Sequence, residues 1–206
     1  SLHDALPISL GAATTTINTL NQSISGGTSA ATIDPAGQTL RVNSILVSSG
    51  AGALTIGNGV NNGNLSTATS GGELALVNNN GLTINSVIAD NTSASSLSKN
   101  GSGILTLNAV NTYTGATVIG AGTLVLNGSI SGGAIAVNDS AVLTESATGV
   151  IGGASSISLA SNGTNTLAGA NTHSGGTIVS AGNLILGNTS ALGNGTFTLS
   201  GGNFNT

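Results

Sequence analysis

The sequence predicts an all-β fold, a parallel β-helix (solenoid) of about ten coils, and three observations carry that prediction. The first is an internal repeat. Thr106–Leu126 reads TLNAVNTYTGATVIGAGTLVL, and sixty residues on Thr166–Leu186 reads TLAGANTHSGGTIVSAGNLIL. The pairs Leu107/Leu167, Asn111/Asn171, Thr112/Thr172, Gly115/Gly175, Thr117/Thr177, Gly122/Gly182 and Leu124/Leu184 match without a gap. Such a unit cannot bury its apolar side alone and has to stack on its neighbours. The second is a series of short β-branched runs with turn residues between them. The third is composition. Only 4% of the 206 residues are charged and 1% aromatic, while 33 are Gly and Cys, Met and Trp are absent. An apolar content of 38% excludes the disordered class, and two Pro with no three-residue Gly period exclude collagen.

Taken in order, residues 1–9 (SLHDALPIS) stand outside the pattern that follows, holding one of two His and one of two Pro. They read as a remnant of cloning, sequencing or gene-calling rather than a cap, so the repeat region is taken as residues 10–206. Strand-like runs follow at Thr14–Leu20, Leu40–Val47, Ala53–Ile56, Glu73–Val77, Leu82–Ile84 and Ile104–Leu107. They continue at Thr117–Ile119, Thr123–Leu126, Ala134–Val137, Ser156–Leu159, Thr164–Leu167, Thr177–Val179, Asn183–Leu186 and Thr196–Leu199. Many alternate apolar with Thr, Ser or Asn, which turns one side inward and the other outward. No helical stripe appears.

Turns such as Gly26-Gly27, Asn80-Gly81, Asn127-Gly128 and Gly152-Gly153 account for the Gly and Asn load. Hairpins use the same dipeptides. The solenoid is favoured because the offset divides into three coils of roughly 20 residues, and because the chain lacks the aromatics that fill a sandwich. In that fold Leu107, Leu124, Leu126, Leu167, Leu184 and Leu186 point into one tube. Asn111/Asn171 and Gly115/Gly175 fall at one corner, with Gly in a conformation closed to other residues.

Charge narrows the partners. The net charge of −4 is spread over Asp4, Asp34, Glu73, Asp90, Asp139 and Glu145 against Arg41 and Lys99. No basic patch exists to neutralise phosphates, so nucleic acid is not expected. Without Cys there is neither a disulfide frame nor a thiolate metal site. No apolar run reaches the roughly 20 residues of a membrane helix, and three aromatics cannot form the girdles of a barrel; no direct membrane insertion is expected. With no Met and no leader pattern, the chain reads as an internal fragment. So few charges predict stability that depends weakly on salt and pH.

The stretch Leu97–Asn127, LSKNGSGILTLNAVNTYTGATVIGAGTLVLN, resembles the passenger-associated repeat of bacterial autotransporters. The residues that carry the likeness are Lys99, Gly101, Gly103, Leu105, Thr106, Leu107, Asn111, Thr112, Tyr113, Thr114, Gly115, Gly122, Thr123 and Leu124. The second copy, 161–187, departs at His173 and Ser174 and has Ser161-Asn162-Gly163 in place of the basic entry. The resemblance implies a right-handed β-helical passenger at the surface of a Gram-negative bacterium. It also implies a partner outside this chain, the C-terminal outer-membrane translocator barrel of the same polypeptide.

Catalytic groups are scarce. Asp139 and Glu145 form the closest carboxylate pair, and paired carboxylates serve glycoside hydrolysis; in NDSAVLTES they read as a loop and strand on a solvated coil. His173 stands where the first copy has Tyr113, so both read as corner residues. No nucleophile elbow, phosphate loop or calcium-binding repeat is present, and no cofactor is expected. The chain is expected to be a non-catalytic stem. The alternatives are an adhesin whose Thr, Ser and Asn ladders bind glycans or cells and, further off, an ice-binding solenoid. The last requires Thr-x-Thr arrays such as Thr14–Thr16 or Thr196–Thr198 in register on consecutive coils, and the sequence shows them sporadically.

Overall fold

A computed structural model describes residues 8–23 and 29–206. The Gly26-Gly27 turn lies outside the described residues. So does the 1–9 leader, except for the backbone of Ile8–Ser9, which runs beside Ile33–Asp34. The described chain is an all-β solenoid without a helix. Its strands are short because each coil turns three corners, and every strand pairs in parallel with its counterpart one coil away.

Three faces run along the stack. The first is a ten-stranded sheet from Ile8–Ser9 through Ile104–Leu107 and Thr123–Leu126 to Asn203–Asn205. The second has nine strands, including Glu73–Asn78, Ser96–Asn100, Thr117–Ile119 and Ile157–Leu159. The third is interrupted: four strands from Thr14–Thr16 to Val87–Ala89, then two at Ser129–Ser131 and Val150–Gly152. The runs expected at Leu40–Val47 and Thr14–Leu20 are each divided by a corner, since Thr39–Arg41 and Ser44–Val47 lie on different faces. Alternation within one unbroken run does not reveal where the chain bends.

The stack makes about eight turns, slightly fewer than the ten expected. Early coils are longer than the 20-residue estimate: Ile33 pairs with Ile56, Leu54 with Leu82, and Leu82 with Leu105. Later coils are tighter, with Leu105 opposite Leu124 and Leu124 opposite Leu143. The sixty-residue offset corresponds to three coils, since the rung of Ile104–Leu107 recurs at Thr164–Leu167 after two intervening rungs.

Inward residues form aliphatic files, of which Leu54, Leu82, Leu105, Leu124 and Leu143 are one and Ile33, Ile56, Ile84, Leu107 and Leu126 another. Of the six leucines expected inside, Leu107, Leu124, Leu126, Leu167 and Leu184 are fully buried. Leu186 is half-buried beside Thr206, which leaves its end of the file open. Each leucine taken out of water stabilises the stack by about 2 kcal/mol. Narrowness explains why Leu, Ile and Val suffice without aromatic bulk.

Candidate functional site

Both repeat copies build the same corner, and it replaces a strand of the interrupted third face. Asn111 is buried. Its side-chain oxygen accepts the Ile88 N–H at 2.9 Å, and its amide donates to the Ser129 carbonyl at 3.0 Å. The backbone N–H of Thr112 donates to the Ile88 carbonyl at 2.8 Å. Asn171 repeats this, accepting from Ile151 N–H at 2.7 Å and donating to the Ala191 carbonyl at 2.8 Å, while Thr172 N–H meets the Ile151 carbonyl at 3.0 Å. Each Asn thus links three successive coils, supplying ladder bonds where no strand runs. Buried backbone groups have to be paired, and a side chain with both a donor and an acceptor satisfies one group on each side.

Behind the Asn, Tyr113 is buried and shares a 2.6 Å hydrogen bond with Thr117, whose hydroxyl is equally enclosed. His173 takes the same place and shares a 2.9 Å bond with Thr177. Burial pushes the Tyr113 phenol well up and holds the His173 imidazole below its ordinary value, against a smaller opposing contribution from the Ile151 backbone. Both side chains are neutral fillers of one pocket, and the match of Thr117 with Thr177 is the sequence signal of their shared partner.

The glycines act differently from expectation. Gly115 and Gly175 do not have positive φ. They are glycines because the coil passes against its neighbour: a Cβ on Gly115 would overlap the Ser95 carbonyl oxygen, and one on Gly175 would lie 2.6 Å from that of Ser155. Their own N–H groups bond those carbonyls at 3.0 and 2.9 Å. The left-handed conformation belongs instead to Gly122 and Gly182, at φ 68° and 66°, just before the buried Leu124 and Leu184.

The ionisable groups also differ from expectation. Asp139 and Glu145 form no solvated pair: Asp139 is exposed at a turn, whereas Glu145 is buried in the tube opposite Leu126. Lys99 is fully buried as well, in file with Leu76 and Ile119. Its ammonium donates to the carbonyls of Asn100, Gly101 and Ala121 at 2.8–3.0 Å, with burial pushing its pKa down to about 8. Period-two alternation from Leu97 placed Lys99 inside, and the second copy has Leu159 at that position. At the surface, Asp90 accepts bonds from Ser95 and from the backbone and hydroxyl of Thr114. Partial burial opposes its ionisation, but these bonds outweigh it and hold the carboxyl below its ordinary value.

These buried groups argue for a pH dependence stronger than the low charge content alone suggests. A lysine whose folded pKa lies below its unfolded value penalises the charged form. Stability should rise between about pH 8 and 10.5, by up to roughly 3 kcal/mol. Lys99→Leu should abolish that rise in urea titrations across this range; an identical rise in the variant would refute the assignment.

The outward side of the first face carries a file of β-branched residues in register: Thr32, Thr55, Thr83, Thr106, Val125, Thr144 and Thr166. Beside it Asn127 donates to Asn108 and Asn108 to Asn85, at 2.8 and 2.7 Å. Threonines therefore do stack on consecutive coils, broken once at Val125, but not as Thr-x-Thr arrays. They form one file, since the adjacent one runs Ile104, Thr123 and Val142. The arrays singled out do not extend: Thr16 faces Arg41, and Thr198 faces Ile178. Among the described residues no group of three or more His, Asp or Glu is placed to hold a metal.

A family model described as passenger-associated-transport-repeat matches residues 97–126 and 160–186, nearly the two copies read from the sequence at 97–127 and 161–187. No curated protein and no solved structure matches the chain.

Proposed function

We propose, from the premise that this chain carries two passenger-associated transport repeats, that it is a non-catalytic stem of an autotransporter passenger, displayed at the cell surface. The observation that carries this reading is what the repeat builds. Its Asn and Gly positions join one coil to the next, and its Tyr or His pairs with a Thr to fill the corner behind them. Of the polar side chains from Asn111 to Tyr113 and from Asn171 to His173, only the hydroxyls of Thr112 and Thr172 face solvent. Asn111, Thr112, Tyr113, Gly115, Gly122 and Leu124, with Asn171, Thr172, Gly175, Gly182 and Leu184, are structural residues of the stem. Residues 10–206 are read as one repeat region, whose first face Ile8–Ser9 extends by one short strand.

A coil of this kind suits secretion because stability is added by nearest neighbours: a chain emerging from a pore can fold one turn at a time on the turn already formed. The implied partner is an outer-membrane translocator barrel in the same polypeptide, which would anchor the stem at the outer membrane. A second reading, adhesion, is favoured by the file from Thr32 to Thr166, which, interrupted once at Val125, offers hydroxyls at a repeat of about 4.8 Å to a glycan or a cell surface.

The test fuses this chain to a signal peptide and an outer-membrane translocating barrel and assays protease-accessible protein on intact cells. Surface display comparable to a known passenger is expected. Failure to appear there while that passenger does would overturn the stem reading, as would robust polysaccharide hydrolysis by the purified chain.

A further inference from the structure

One rung of the first face is bonded unlike its neighbours. Strand Val142–Glu145 meets Thr164–Leu167 through Thr144 opposite Thr166 alone, whereas the rungs to either side each pair four residues. Side chains take over the missing bonds. Asn165, buried where the first copy has Leu105, accepts the Leu143 N–H at 2.8 Å and donates to Ser161 at 2.9 Å. Glu145 closes the other half of the rung. One carboxyl oxygen accepts from the Gly169 N–H at 3.0 Å and from Asn171 at 2.9 Å, and the other, Oε1, is buried without a partner. The same Asn171 holds Ile151 and Ala191, so this carboxyl is tied to the hub of the second repeat.

Nothing facing Glu145 balances a negative charge. The strands Thr123–Leu126 and Thr164–Leu167 carry no ionisable residue, nor do residues 146–150 or the corner around Ala191. On the 168–176 corner the sole ionisable residue is His173, buried and held neutral. An ionised carboxylate here would be desolvated with two donors and one orphan oxygen, a state far costlier than the acid. Burial accordingly pushes the Glu145 pKa up, against the smaller opposing effects of Asn171 and the Gly169 and Ala168 backbone.

We propose that this rung is an acid-held joint: protonated Glu145 keeps the coils from Thr164 onward docked on those before it, and loss of that proton to solvent releases them. Because each coil contacts only its neighbours, such a break leaves the preceding coils stacked. The joint is independent of the stem reading, since it operates in the purified chain.

The sign follows from linkage. A carboxyl whose folded pKa is raised contributes stability that is complete in acid and is lost as pH rises through the folded value. Lys99 acts in the opposite direction from about pH 8 upward, and a Glu145 variant that keeps Lys99 separates the two. Hydrogen exchange read by mass spectrometry, corrected for intrinsic rates, should show protection over residues 164–186 falling at least about tenfold, relative to residues 104–126, between about pH 5 and pH 9. Glu145→Gln should keep that protection at both pH values. Glu145→Leu, which continues the leucine file, serves the same purpose if the glutamine variant folds poorly. Equal protection of the wild-type segment at both pH values would overturn the proposal. So would an undiminished pH effect in both variants, or loss of protection over the whole chain together.

Discussion

Gly115→Val is expected to be among the most damaging single substitutions in this chain, lowering stability by about 3 kcal/mol or more. The cost does not arise from φ, which an ordinary residue adopts there. It arises because the first side-chain carbon would overlap the Ser95 carbonyl, to which the Gly115 N–H is itself bonded. Relief requires the two coils to separate, which breaks that bond and opens the aliphatic stack beside it. Gly115→Ala tests the cause, since the first carbon alone makes the clash: it should cost more than half of what valine costs. Urea titration of both variants decides the matter. A valine variant within about 0.5 kcal/mol of wild type would show that the coils slide apart freely.

Asn171→Leu should cost about 3–6 kcal/mol, and Asn111→Leu about 2–4 kcal/mol. Leucine has similar bulk, so the effect isolates hydrogen bonding. Removing the Asn171 amide strips partners from Ile151 N–H, the Ala191 carbonyl and Glu145, all in a region closed to water. Removing Asn111 affects Ile88 N–H and the Ala109 and Ser129 carbonyls, of which Ser129 also accepts the Asn111 backbone N–H. Exchange should show the loss as deprotection of Ile88 in one variant and Ile151 in the other. Retained protection of those amides would mean that water or a shifted backbone replaces the side chain.

The repeat-borne parts of the structure are legible in the sequence itself. An offset of sixty residues implies stacking, period-two alternation puts Leu107, Leu124, Leu167 and Leu184 inside, and matching Asn, Thr and Gly mark one corner built twice. These follow from rules local to a strand or a turn, which depend on a few adjacent residues. Even Lys99 was within reach, through its alternation with Leu97 and its equivalence to Leu159.

What only the tertiary structure decided is what meets what across coils, because contacts between turns depend on register and coil length rather than on neighbours in sequence. The early coils lengthen at their corners, so the turn count dropped below the estimate. Gly115 is a glycine because of Ser95 and not because of its own torsion angles. Glu145 looked solvated beside Asp139, yet its strand pairs with Thr123–Leu126 and turns the carboxyl into the tube, where Gly169 and Asn171 arrive from the next coil. The threonine file follows the same logic, since Thr32, Thr55, Thr83 and Thr106 lie at unequal spacings along the chain and align only once every corner has taken its length. Strand character is written residue by residue; alignment between coils is set by the lengths of all the turns between them.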